Sequence, residues 1–129
     1  MILAVRTDKL EAELYVYKHA NCVASYTWEA HRQLADTIHT KIHTILVNND
    51  ADWSSLQGLI VYKGPGSFTG LRIGVTVVNT LGYSLNIPIA GTTGENWLTE
   101  GLVALQKVKQ YTPVLPDYGG HIHITQPKK

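Results

Sequence analysis

The sequence predicts an α/β fold, a mixed five-stranded sheet with helices packed on it. Three observations carry the prediction. Residues 1–28 hold three short stretches rich in Val, Tyr and Thr, separated by polar or turn-type residues. At His31 the apolar spacing changes from that of a strand to that of a helix. Beyond Gly58 strand-like and helix-like runs alternate, which is how parallel strands with crossover helices are written in sequence.

Residues 1–7 are nearly all apolar, as suits a central strand buried on both faces. Residues 13–19 alternate, Leu14, Val16 and Lys18 against Tyr15 and Tyr17, so a half-buried antiparallel strand is expected, and residues 22–28 complete a three-stranded meander. In residues 31–47, Leu34, Ile38, Ile42, Ile45 and Leu46 gather on one stripe, an amphipathic helix that Asn48, Asn49 and Asp50 end. Asp52 is placed to cap a short turn through Leu56. Residues 58–63 read as a strand, residues 69–85 as a second helix, residues 87–91 as a short strand and residues 95–108 as a third helix. A meander followed by alternating strand and helix is the order of an RNase H-like or actin-like (ASKHA) lobe.

With 129 residues, 44% of them hydrophobic and 16% charged, the chain has room for one globular domain. The division expected is a lobe over residues 1–110 and a Pro-containing tail over residues 111–129, with no second lobe. The single cysteine, Cys22, excludes an intramolecular disulfide, and a reduced cytoplasmic setting is expected. A formal charge of +1 supplies no field to draw in nucleic acid or anionic lipid, so any role with RNA is expected to be indirect. No apolar run approaches the roughly 20 residues that span a bilayer, and no membrane partner is expected.

Two features stand out. Gly64, Pro65, Gly66, Ser67, Phe68, Thr69 and Gly70 lie between a strand and a helix N-terminus, where free N–H groups can receive a phosphate. The spacing matches no standard phosphate loop, and a tight turn needing glycine backbone angles is the simpler reading. In the helix that follows, Leu71, Val75, Val78 and Leu85 fill one face while Ile73, Val77 and Leu81 fill the adjoining one. The apolar arc is then roughly 200° wide, about twice an ordinary stripe. The surplus needs cover from a partner helix, which Gly74, Gly82 and Ser84 would let come close, or from this chain's own third helix or tail.

Reactive constellations are sparse. His39 and His43 are four apart on the first helix, with His121 and His123 in the tail, but no converging ligand set is evident, and the histidines read as a polar flank beside Ile38 and Ile42. Cys22 reads as a buried small hydrophobe. Ser67 is not in a nucleophile elbow and more simply caps the following helix, as Thr69 also can. Trp28, Trp53 and Trp97 read as packing residues. No catalytic residue, metal site or cofactor is assigned.

The run from Lys63 through Gly-Pro-Gly-Ser-Phe-Thr-Gly-Leu-Arg72-Ile to Gly74 closely resembles the signature of the TsaB family, relatives of the tRNA threonylcarbamoyladenosine synthase TsaD. Met-Ile-Leu-Ala at the start, His31, Leu85-x-Ile-Pro88 and Gly91-Thr-Thr fall where that family has similar residues, so the resemblance covers about residues 1–100. The tail, with Pro116-Asp-Tyr118 and Ile124-Thr-Gln-Pro-Lys, looks like the end of short TsaB forms. The family commonly has two lobes and reads Ile-Asp-Thr where this chain reads Val5-Arg6-Thr7. Arginine cannot bind a cation, and Lys63 rather than a carboxylate ends the fourth strand, so two positions that would hold metal in an actin-like ATPase or a nuclease are lost.

The resemblance implies a non-catalytic scaffold of the tRNA N6-threonylcarbamoyladenosine machinery, its first two helices packing on those of a TsaD-like catalytic subunit in a four-helix bundle. His31, Ile73, Gly74, Val77 and Leu81 would form that interface. A TsaE-like ATPase would be a further partner, and an isolated sample would pair with itself through the same helices. The alternative is a nucleotide-binding ATPase or kinase-like remnant that uses the Gly64 to Gly70 loop for phosphate.

Overall fold

The computed structural model describes residues 1–119, the side chain of His31 excepted. Five strands form one mixed sheet: β1 (Ile2–Arg6), β2 (Glu11–Lys18), β3 (Asn21–Glu29), β4 (Gly58–Tyr62) and β5 (Ile89–Thr92), in the spatial order β3-β2-β1-β4-β5. The first three are an antiparallel meander, and β4 and β5 add in parallel, with Leu3 beside Leu59 and Ile60 beside Ala90. The helices are α1 (Leu34–Val47), α2 (Phe68–Leu85) and α3 (Trp97–Leu105).

Alternation in the strands builds a core on each face. Leu3, Val5, Leu14, Val16, Leu59 and Val61 pack with Ile38, Ile42 and Leu46 of α1 and Val75 and Val78 of α2. Ala4, Ile60, Tyr62 and Ala90 turn the other way, against Trp97 and Leu105 of α3. Each fully buried Leu or Ile contributes roughly 1.5–3 kcal/mol of transfer free energy, so the first face supplies most of the lobe's stability. Trp28 and Trp53 pack at the margin of that core and Trp97 lies inside the other, which agrees with their reading as packing residues.

Local chemistry sets the element ends. Asn49 donates from its amide to the Ile45 carbonyl at 2.7 Å and Asp50 turns the chain at φ 57°, which stops α1. The Asp52 carboxylate accepts from the Ser54 N–H at 2.9 Å, while the Ser55 hydroxyl accepts from the Asp52 N–H at 3.1 Å, a reciprocal cap for a one-turn helix at Trp53–Ser55. Ser67 caps α2, so that helix begins at Phe68, and Asn86 ends it in the left-handed region at φ 55°. Residues 31–33 form a tighter 3-10 turn ahead of α1, and α3 is shorter than residues 95–108 because a turn at Gly94 delays its start and three-residue turns at Gln106 to Val108 close it.

Two expectations are corrected. Cys22 is exposed rather than buried, because β3 is the edge strand and lies exposed along most of its length. Tyr17 is buried together with Val16, since the β2–β3 register shifts between these two residues and breaks the strict alternation.

Residues 111–119 lie back on the lobe. Tyr111 and Val114 pack against the first core, beside Gly82 and Gly91 where a Cβ would collide with them. The Asp117 N–H donates to the Lys63 carbonyl at 2.7 Å. Among the described residues no helix is long and apolar enough to cross a membrane.

Candidate functional site

The glycine loop joins β4 to α2 and is held on three sides. Gly64 adopts φ 127°, and its α-hydrogen side meets the Asp117 carbonyl, so no side chain fits there. Tyr62 donates its hydroxyl to the Pro65 carbonyl at 2.9 Å. A Cβ on Gly66 would lie 2.7 Å from the Asp8 carboxylate. Thr7, almost fully buried, donates its hydroxyl to the Gly70 carbonyl at 2.7 Å and fills the space beside Gly74.

The end of β1 carries an ion pair that the sequence pattern did not reveal. Arg6 donates from Nε to Asp8 Oδ1 at 2.7 Å and from Nη2 to Oδ2 at 3.3 Å, and its guanidinium lies 3.8 Å from the centre of the Tyr62 ring. Burial works against the Arg6 charge, but the Asp8 bond and the neighbouring negative charge outweigh it and raise the pKa above the ordinary arginine value. The Asp8 carboxylate beside the loop is therefore tied up in a pair with a fixed arginine. The Asp8 side chain fills the space beside Gly66, where a phosphate approaching the loop would meet it.

Beside this cluster Tyr15 donates to Glu13 at 2.7 Å and meets Trp97 edge-on at 5.9 Å. Burial first, and then the bond to Glu13, push the Tyr15 hydroxyl up to about 12. Among the described residues no group of three or more His, Cys, Asp or Glu side chains could hold a metal ion. His39 and His43 are exposed on α1, and His43 stacks on Trp53 at 6.1 Å. His121 and His123 lie outside the described residues.

The second helix distributes its wide apolar arc more economically than the sequence predicts. Leu71, Val75 and Val78 face the sheet. Val77 is only 8% exposed, while Ile73 and Leu81 are half-buried. Gly74 is internal against Thr7 and Gly82 against Ile89 and Tyr111, so these small residues admit this chain's own side chains and not a partner's helix. The His31 side chain lies outside the described positions. The tail packs beside α2 at Phe68, Asn79, Gly82 and Tyr83, so the chain itself covers part of this helix.

What remains open is a groove of about 460 Å³ between α1 and α2, walled by Ala35 and His39 on one side and by Phe68, Arg72, Ile73 and Val77 on the other. Phe68 is 48% exposed at its mouth. Ser67, at the N-cap, accepts from the Gly70 N–H at 3.5 Å, and Thr69 lines the groove instead of capping.

A family model described as TsaD: tRNA N6-adenosine threonylcarbamoyltransferase matches residues 23–115. The chain belongs to the TsaB/TsaD family. It is 33% identical over 92 residues to the tRNA threonylcarbamoyladenosine biosynthesis protein TsaB of Bacillus subtilis, a match that covers 71% of this chain and 40% of that protein. It is also 32% identical over 98 residues to the tRNA N6-adenosine threonylcarbamoyltransferase of Geotalea daltonii, covering 74% of this chain and 28% of the relative. TsaB proteins of Buchnera aphidicola, Haemophilus influenzae and Escherichia coli match as well, which supports membership on the TsaB side of the family. The chain thus spans well under two thirds of the relatives it matches. The fold agrees with the solved structure of YeaZ from Pseudomonas aeruginosa, with a TM-score of 0.66 over 71% of this chain and 43% of that one, at 23% identity.

Proposed function

We propose that the chain serves tRNA threonylcarbamoyladenosine biosynthesis as a non-catalytic scaffold, docking a TsaD-like catalytic subunit in the groove between α1 and α2. The single observation that carries this reading is the groove itself: an open, largely apolar cleft between the two long helices, with Ile73 half-buried in its wall. Relatives named for the biosynthesis and relatives named for the transferase match one and the same lobe. Two copies of one lobe architecture can pair helix to helix about a pseudo-two-fold axis, and an isolated sample would use the same groove to form a homodimer. The chemistry would reside in the catalytic subunit. A TsaE-like ATPase would join through another surface.

The Arg6–Asp8 pair beside the loop supports the non-catalytic reading. It puts a paired arginine where a metal would need a carboxylate, and the Asp8 side chain fills the space beside Gly66. Size-exclusion chromatography with light scattering tests the proposal: the chain and the TsaD-family protein encoded in the same genome should co-elute, and Ile73→Glu should separate them. Co-elution unaffected by Ile73→Glu would refute the groove as the docking surface. Calorimetry with magnesium and ATP tests the nucleotide-binding alternative, which submillimolar binding by the chain alone would establish.

A further inference from the structure

We infer that the extended segment from Tyr111 to Tyr118 is a strap that sets the shape of the α1–α2 groove, with Tyr118 as the positioning residue. The inference rests on the docking role proposed above for that groove and adds how it is controlled.

The strap is fastened to the lobe at separate points. The side-chain amide of Asn79 accepts from the Val114 N–H at 2.9 Å and donates to the Val114 carbonyl at 2.8 Å. The Asp117 N–H bonds the Lys63 carbonyl, and Tyr111 meets Tyr83 edge-on at 5.9 Å. These contacts carry Tyr118 to Phe68, the first residue of α2, with ring centres 4.5 Å apart. Phe68 also lies against the Arg72 guanidinium, 5.5 Å from the ring centre, and both residues line the groove.

The ring that stands at the mouth of the groove is therefore packed on the strap and not on the lobe's core. With the strap seated, Phe68 and Arg72 are held as one preformed rim. With Tyr118 gone, a half-exposed aromatic at a helix end regains rotamer freedom, and a partner must order it on binding. Asn79 does not line the groove, yet it fixes the strap and so acts on the same rim from a distance.

The test measures the affinity of the full chain for the TsaD-family protein from the same genome by calorimetry, with circular dichroism to confirm folding. Tyr118→Ala is expected to weaken binding by roughly 3- to 10-fold, the effect of one side chain left to be ordered. Asn79→Ala should weaken it similarly without touching the groove. Tyr118→Phe should bind as the natural chain does, because the ring and not the hydroxyl does the positioning. Leu115→Ala should also have no effect, since Leu115 is on the strap but 78% exposed. Unchanged binding by Tyr118→Ala, beside loss of binding by Ile73→Glu, would overturn the strap while leaving the docking reading intact. No binding by the natural chain, or full binding by Ile73→Glu, would overturn both.

Discussion

The side-chain amide of Asn79 holds both backbone polar groups of Val114, 35 residues further along the chain, at 2.8 and 2.9 Å. An asparagine in the body of a helix is a poor helix former. Here it supplies to an extended segment the paired donor and acceptor that a neighbouring strand would otherwise provide.

Removing that amide should loosen the strap before the lobe. Two hydrogen bonds of ordinary strength are each worth roughly 0.5–1.5 kcal/mol net, so Asn79→Leu should destabilise the chain by about 1–3 kcal/mol. Urea unfolding measures the loss. Hydrogen exchange should localise it, with the Val114 amide exchanging faster while amides in β1 and β4 stay protected.

Gly74→Ala gives a test whose sign matters. In an open helix interior, alanine stabilises by about 0.5–1 kcal/mol over glycine. At position 74 the added methyl would collide with the Thr7 side chain, which must abandon its bond to the Gly70 carbonyl or push α2 off the sheet. The expected result is destabilisation of roughly 1–3 kcal/mol, read as a lower melting temperature. A stabilised variant would mean that α2 stands further from β1 than the structure has it.

Stability at high pH should depend on Tyr15. Its hydroxyl titrates near 12 in the folded chain against 10.0 in an unfolded one, so the folded form binds the proton more tightly. Stability owed to this group is complete below pH 10 and is lost as the pH rises through about 12. Tyrosinate absorbance should show one titration step near pH 12 that Tyr15→Phe removes. Survival of that step in Tyr15→Phe would assign it to another tyrosine.

Cys22 should react as an exposed thiol. Native protein should be modified by a disulfide reagent to one equivalent, at nearly the rate seen in denaturant. Protection until unfolding would place the hairpin end under cover.

Much of the fold was legible because its signals are local. The apolar run of β1, the stripe from Leu34 to Leu46 and the alternation of strand and helix after Gly58 each state their own structure. The exposure of Cys22 is not legible, because burial depends on which strand lies at the edge of the sheet, and that is not written near the cysteine. The apolar positions of α2 are legible in its spacing, but not how they are shared. Gly74 and Gly82 look like places for a partner until Thr7 and Ile89 are found inside them. The Arg6–Asp8 pair had one available signal, two opposite charges two residues apart at a strand end. The grip of Asn79 on Val114 had none beyond an asparagine in an unfavourable place.

The central claim is that a catalytic partner seats between the two long helices. Hydrogen exchange of the chain, with and without the TsaD-family protein from the same genome, measures this most directly. The account predicts new protection in α1 and in the first half of α2, around Phe68 to Val77, with little change in β3. Protection confined to the β3 edge, or none anywhere, would contradict it.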